Sequence, residues 1–125
     1  MRIDVHAHYY PERYTERLAA LGLRQAKGAG QSSDLSSRLR AMDQTHTEIQ
    51  ILSSAALDTQ VRNLDGAVEA ARLINDLYAQ TSADTNGRFR AFGWVPLPYV
   101  DEAIAEMQRC LDQLCFAVIC SPTLC

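Results

Sequence analysis

Arg2-Ile3-Asp4-Val5-His6-Ala7-His8, followed at once by Tyr9-Tyr10-Pro11-Glu12, opens the chain and frames the reading of the rest. Side chains alternate across a strand, so a β-strand over 2–8 puts Asp4, His6 and His8 on one face and Ile3, Val5 and Ala7 on the other. Two imidazoles two positions apart, at a strand end just before a proline-marked turn, suit a zinc-like ion, since neutral imidazole is its commonest protein ligand. A solvated strand face explains polar residues as well, and a lone His-x-His pair does not separate the two. The metal reading requires both rings to point inward and the strand to lie amid its sheet.

Outward from that strand, Pro11 to Leu21 reads as a helix with Tyr14, Leu18 and Leu21 as its apolar stripe, and Gly22 ends it. Residues 22–33 hold Gly28, Gly30, Ser32 and Ser33 with hardly an apolar anchor, which predicts a rim loop. Ser33 or Asp34 can cap the next helix, which buries Leu35, Leu39 and Met42 and runs to about Thr45. A second strand follows at 48–53, then a rim loop to about Asn63. Leu64, Ala67, Ala71, Ile74 and Tyr78 recur in steps of three and four and predict a long helix over about 64–81. A third strand at 89–97 reads as buried on both faces. The next helix carries Asp101 and Glu102 in its first turn and Ile104, Met107, Leu111 and Leu114 as its core stripe. Residues 116–120 begin a fourth strand.

Strands alternating with helices, with no tight hairpin turn between strands, imply parallel strands joined by crossover helices. The fold class is α/β, and two architectures fit: an open doubly wound sheet, or about four strands forming the N-terminal half of a (β/α)8 TIM barrel, since a whole barrel needs about 250 residues. No glycine-rich nucleotide fingerprint follows any strand, which favours the barrel. The 125 residues, 47% hydrophobic and 22% charged, suit one soluble domain spanning 1–125. A net charge of -3 argues against nucleic acid or an anionic membrane as partner. With neither a signal-peptide pattern nor an apolar run of transmembrane length, cytoplasmic residence is the expectation. The four cysteines, Cys110, Cys115, Cys120 and Cys125, match neither a redox pair nor a zinc ribbon and receive no chemistry.

Several segments in order resemble the amidohydrolase-related family, in particular the branch of aminocarboxymuconate-semialdehyde decarboxylase and resorcylate-type decarboxylases. They are Ile3 to Pro11, Arg38-Leu39-Arg40-Ala41-Met42-Asp43, Gln50-Ile51-Leu52-Ser53, Asn75-Asp76, Arg88-Phe89-Arg90-Ala91-Phe92, Val95-Pro96-Leu97-Pro98 and Glu106-Met107-Gln108-Arg109-Cys110. The resemblance implies a distorted (β/α)8 barrel with one divalent metal, commonly zinc, at the carboxyl ends of its strands. It makes His6 and His8 two of the metal ligands and gives Asp4 a supporting role. It places the remaining ligands and the acid-base histidine in later strands, outside residues 1–125, so no catalytic residue is assigned.

The implied activity is a metal-dependent carboxy-lyase (decarboxylase) acting on an unsaturated or aromatic carboxylic acid, with a metal-dependent hydrolase as the alternative. The rival class is a non-catalytic, truncated fragment or assembly module with an incomplete metal site. An open half barrel exposes strand edges, which favours a homodimer or a complementing C-terminal half. Where the family has glycines, this chain reads Leu114-Cys115-Phe116-Ala117, consistent with the amino-terminal part of a longer ancestor cut or frame-altered near codon 115. His46 reads as structural, and a triad of Ser53, His46 and Asp43 would draw its groups from opposite rims. Arg13 and Arg38 could anchor a substrate carboxylate, but solvated helix faces explain both equally well, and substrate-binding residues stay unassigned.

Overall fold

The structure, a computed structural model, describes residues 1–22, 34–54 and 63–114 and the backbone of 119–120. The chain runs β1 (Ile3–His8), α1 (Glu12–Ala20), α2 (Leu35–Gln44), β2 (Ile49–Ser53), α3 (Leu64–Asp84), β3 (Phe89–Ala91), β4 (Gly93–Trp94), α4 (Val100–Asp112) and β5 (Ile119–Cys120). The loops expected at 23–33 and 55–62, the first part of the fourth strand at 115–118, and Cys115 and Cys125 lie outside the described residues.

Every strand pairing is parallel: β1 with β2, β2 with β3, and β4 with β5. Helices fill the connections, as the alternation of patterns implies. The third strand breaks at Phe92. Up to that residue it is bonded to β2, with Phe92 N–H still reaching Leu52 O at 3.0 Å; beyond it, Gly93 and Trp94 turn to β5. One extended run thus changes neighbours, ending at Trp94 rather than at residue 97. Its first part is buried on one side only, because Phe89 and Ala91 are enclosed while Arg90 between them is exposed, whereas Gly93 and Trp94 are both buried, as expected of a strand covered on both faces.

β1 corrects a further expectation. It lies at the border of the sheet, with β2 as its only paired neighbour among the described residues. Ile3 and Val5, 40% and 62% exposed, follow from that position. The metal reading's requirement that this strand lie amid its sheet is therefore not met within the described residues; a closed barrel would meet it, since there the first strand takes its second neighbour from the last strand.

Local chemistry sets the helix ends. The Asp34 carboxylate caps α2, accepting from Ser36 N–H at 2.9 Å and Ser37 N–H at 3.1 Å. Asn63 Oδ1 caps α3 by accepting from Gly66 N–H at 2.7 Å. Gly22, at φ +78°, takes the left-handed conformation that closes α1. The core gathers Tyr14 and Leu18 of α1, Met42 of α2, Leu52 of β2, Ala71, Ile74 and Tyr78 of α3, and Phe89 of β3.

α4 is turned the other way from expectation. Its apolar stripe Ile104, Met107 and Leu111 is 54%, 37% and 42% exposed, and Leu114 is half-buried. The buried face is instead Ala103, Glu106 and Cys110. What holds that face in is a polar seam. Asn75 Nδ2 donates to Trp94 O and to Glu106 Oε1, both at 2.8 Å, while Trp94 N–H donates to Asn75 Oδ1 at 2.7 Å. Arg109 completes it with bonds to both Glu106 oxygens at 2.6 and 2.8 Å and to Asp76 Oδ1 at 2.7 Å. Burial alone would raise the Glu106 carboxyl, but hydrogen bonds from Arg109 and Asn75 and the charges of Arg109 and Arg72 outweigh it and hold the group below its ordinary value. Burial, reinforced by the Glu106 charge, pushes the neighbouring Cys110 thiol up to about 12, so it is an inert, protonated core group. Among the described residues no helix is long and apolar enough to cross a membrane.

Candidate metal centre

The register of β1 decides what its side chains face. Ile3 and Asp4 lie opposite Ile49 and Gln50, but Ala7 and His8 lie opposite Leu52 and Ser53, so β1 carries one residue more than β2 between Asp4 and Ala7. This is a β-bulge, and it breaks strict alternation. Asp4 and Ala7 fall on the side of Gln50 and Leu52, whereas His8 shares the side of Ser53. The expectation that Asp4, His6 and His8 share one face is therefore corrected: the two histidines are neighbours, and Asp4 points away.

The imidazoles of His6 and His8 stand with centroids 4.8 Å apart and planes at 73°. His6 is exposed and His8 half-buried, so only the His8 ring is partly enclosed and the expectation of two inward rings is met by one of them. His8 Nδ1 lies 3.0 Å from Ser53 Oγ, which leaves Nε2 of that ring directed elsewhere. Asp4 serves the backbone. Its Oδ1 accepts from His6 N–H at 3.1 Å across the bulge, and its Oδ2 accepts from Gln50 Nε2 at 2.9 Å. Gln50 in turn accepts from Arg38 Nη1 at 3.2 Å, and Arg38 Nη2 donates to His8 O at 2.5 Å. A chain of polar contacts thus ties α2, β2 and the bulge together.

The strand end beyond His8 is equally fixed. Tyr78 Oη donates to Tyr9 O at 2.6 Å, Tyr9 N–H donates to Ser53 O at 3.2 Å, and the Arg38 guanidinium sits 5.6 Å from the centre of the Tyr9 ring. Burial raises the phenols of Tyr9 and Tyr78, and pushes Tyr14 up to about 12, so all three remain protonated.

A divalent ion fits the two imidazoles by ligand type and by the partner that occupies the other nitrogen of His8. The described residues do not complete its shell, for they contain no cluster of three or more His, Cys, Asp or Glu able to hold a metal. His46 is not brought to the pair: it occupies a left-handed turn at φ +53° after α2, on the rim with Glu48 and Arg88. Asp43 pairs with Arg88 at 2.7 Å and Ser53 with His8, so no Ser53-His46-Asp43 triad forms. Arg13 lies with Arg17, Glu69 and Leu73 between α1 and α3, and the Arg38 donors are turned to His8 and Gln50. Sequence reasoning left Ser53, Gln50 and Arg38 without a role at the site; the quoted run Gln50 to Ser53 held two of them, but only the register reveals what they touch.

The amidohydrolase family model matches residues 3–119, and the chain belongs to that family. Gamma-resorcylate decarboxylase of Rhodococcus jostii is 38% identical over 80 residues, which are 63% of this chain and 24% of that protein. The crystal structure of 5-carboxyvanillate decarboxylase from Sphingomonas paucimobilis superimposes with a TM-score of 0.78 at 23% identity, over 94% of this chain and 41% of that one. A dihydroxybenzoic acid decarboxylase from Polaromonas, crystallised with manganese and the inhibitor 2-nitroresorcinol, gives 0.64 at 25% identity, over 94% and 37%. The chain thus spans about a quarter of the length of the curated relatives it matches. Its fold is α/β and corresponds to part of a (β/α)8 barrel, with β1, β2, the β3–β4 run and β5 as successive parallel strands.

Proposed function

We propose that this chain is the amino-terminal part of a metal-dependent carboxy-lyase that removes CO2 from an unsaturated or aromatic carboxylic acid, with His6 and His8 as two ligands of a divalent metal. The observation that carries the reading is the pair itself: two adjacent imidazoles, one held by a buried hydroxyl. The decarboxylase relatives and the manganese in the Polaromonas structure support the reaction class and the need for a metal. Imidazole ligation suits zinc among several divalent ions. When bound, such an ion would act as a Lewis acid toward substrate oxygens. The chain's own contribution is to hold the two rings in register, through the bulge, the Asp4 carboxylate and the pinned carbonyls of His8 and Tyr9.

A second reading rests on β1. Its outer edge, unpaired among the described residues, and the exposed Ile3 and Val5 favour pairing with another chain, either a second copy or a complementing C-terminal half. Zinc stoichiometry and oligomeric mass measured on one sample test both. The carboxy-lyase reading expects metal in the wild type and its loss in the His6→Ala/His8→Ala double variant; equal metal content in both proteins removes the site. A clean monomer at micromolar concentration removes self-association.

A further inference from the structure

We infer that Ser53 is a positioning residue that fixes the tautomer of His8, keeping the ring proton on Nδ1 so that Nε2 presents its lone pair to the metal. The inference rests on the metal reading above, because the 3.0 Å contact alone lets either atom donate, but its test reads the ring proton directly.

A neutral imidazole carries one proton, and the hydrogen bond made by one nitrogen decides which nitrogen that is. Here the contact is built into the sheet. His8 and Ser53 are paired across β1 and β2, the Ser53 carbonyl receives Tyr9 N–H at 3.2 Å, and the His8 carbonyl receives Arg38 at 2.5 Å. Both backbones are thus held, and the 3.0 Å separation of Nδ1 and Oγ follows from fixed geometry. Ser53 is 6% exposed, so bulk water does not readily take its place. A hydroxyl can donate or accept. Accepting from Nδ1–H leaves Nε2 unprotonated on the half-buried ring that faces its partner His6, the arrangement in which ligating histidines are generally found. Donating to Nδ1 would put the proton on Nε2 and block it.

Long-range proton–nitrogen correlation spectra of the metal-free chain read the tautomer directly. A protonated Nδ1 and a pyridine-like Nε2 on His8 are expected in the wild type; the reverse pattern overturns the inference without any variant. In Ser53→Ala the preference should relax toward Nε2–H, and the affinity for added Zn2+ should fall by about 10- to 100-fold, as for other outer partners of metal ligands. Ser53→Thr should restore both. An alanine variant with unaltered nitrogen shifts and unaltered affinity refutes the assignment. Zinc binding that survives in His6→Ala/His8→Ala refutes the metal site instead, and leaves the tautomer result standing.

Discussion

α3 and α4 carry the same kind of apolar repeat, and only α3 buries it. On α3, Ala71, Ile74 and Tyr78 are at most 1% exposed, because the helix lies over β3 and β4 and is flanked by α1 and α4. On α4, Ile104 stays 54% exposed and the enclosed positions are Ala103, Glu106 and Cys110. Periodicity reports that a helix has an oily side; it does not report that a neighbour exists to cover it. Hydrophobic burial holds α3 in place, and a hydrogen-bonded carboxylate holds α4.

The largest break in this contrast should come from Ile74→Ala, which opens a cavity at a position with 0% exposure and should cost about 4 kcal/mol in urea unfolding. A loss below about 1 kcal/mol would show that α3 is not anchored by packing. Glu106→Ala should cost about 3 kcal/mol by taking one of the acceptors from Asn75 and the buried charge partner from Arg109. The same carboxylate gives the seam a pH signature. Its folded value lies below the ordinary 4.5, so its contribution is complete above that pH and disappears as pH falls through the folded value. Stability curves of the wild type and Glu106→Gln should therefore converge on acidification, and parallel curves would assign the seam to something other than charge. The smallest effect belongs to Ile104→Ser, within about 0.5 kcal/mol of the wild type, since that side chain leaves little water behind on folding. A cost comparable to that of Ile74→Ala would mean that the outer stripe is covered in solution.

Much of this architecture is readable from local pattern. The helix from Leu64, with Asn63 ahead of it, follows from a repeat and a cap, both of which act over a few residues. The neighbouring rings of His6 and His8 follow from their spacing alone. Spacing alone misplaces Asp4, because a bulge depends on how β2 registers against β1, a tertiary property absent from the spacing. Periodicity misreads the α4 face for a related reason: a glutamate reads as solvated until Arg109 of α4 itself and Asn75 of α3 supply its partners. Ser53 looked like the end of a strand, and only the pairing sets it beside His8.

The side chain of Asn75 meets Trp94 with a donor toward its carbonyl and an acceptor toward its amide, the same functional group that a peptide bond offers. Through it a helix lends the sheet one rung of its ladder, at the point where the extended run leaves β2 for β5. Aspartate in its place would present only acceptors, and would face the Glu106 carboxylate with like charge; leucine would present nothing. Among side chains of that size, asparagine alone completes the rung.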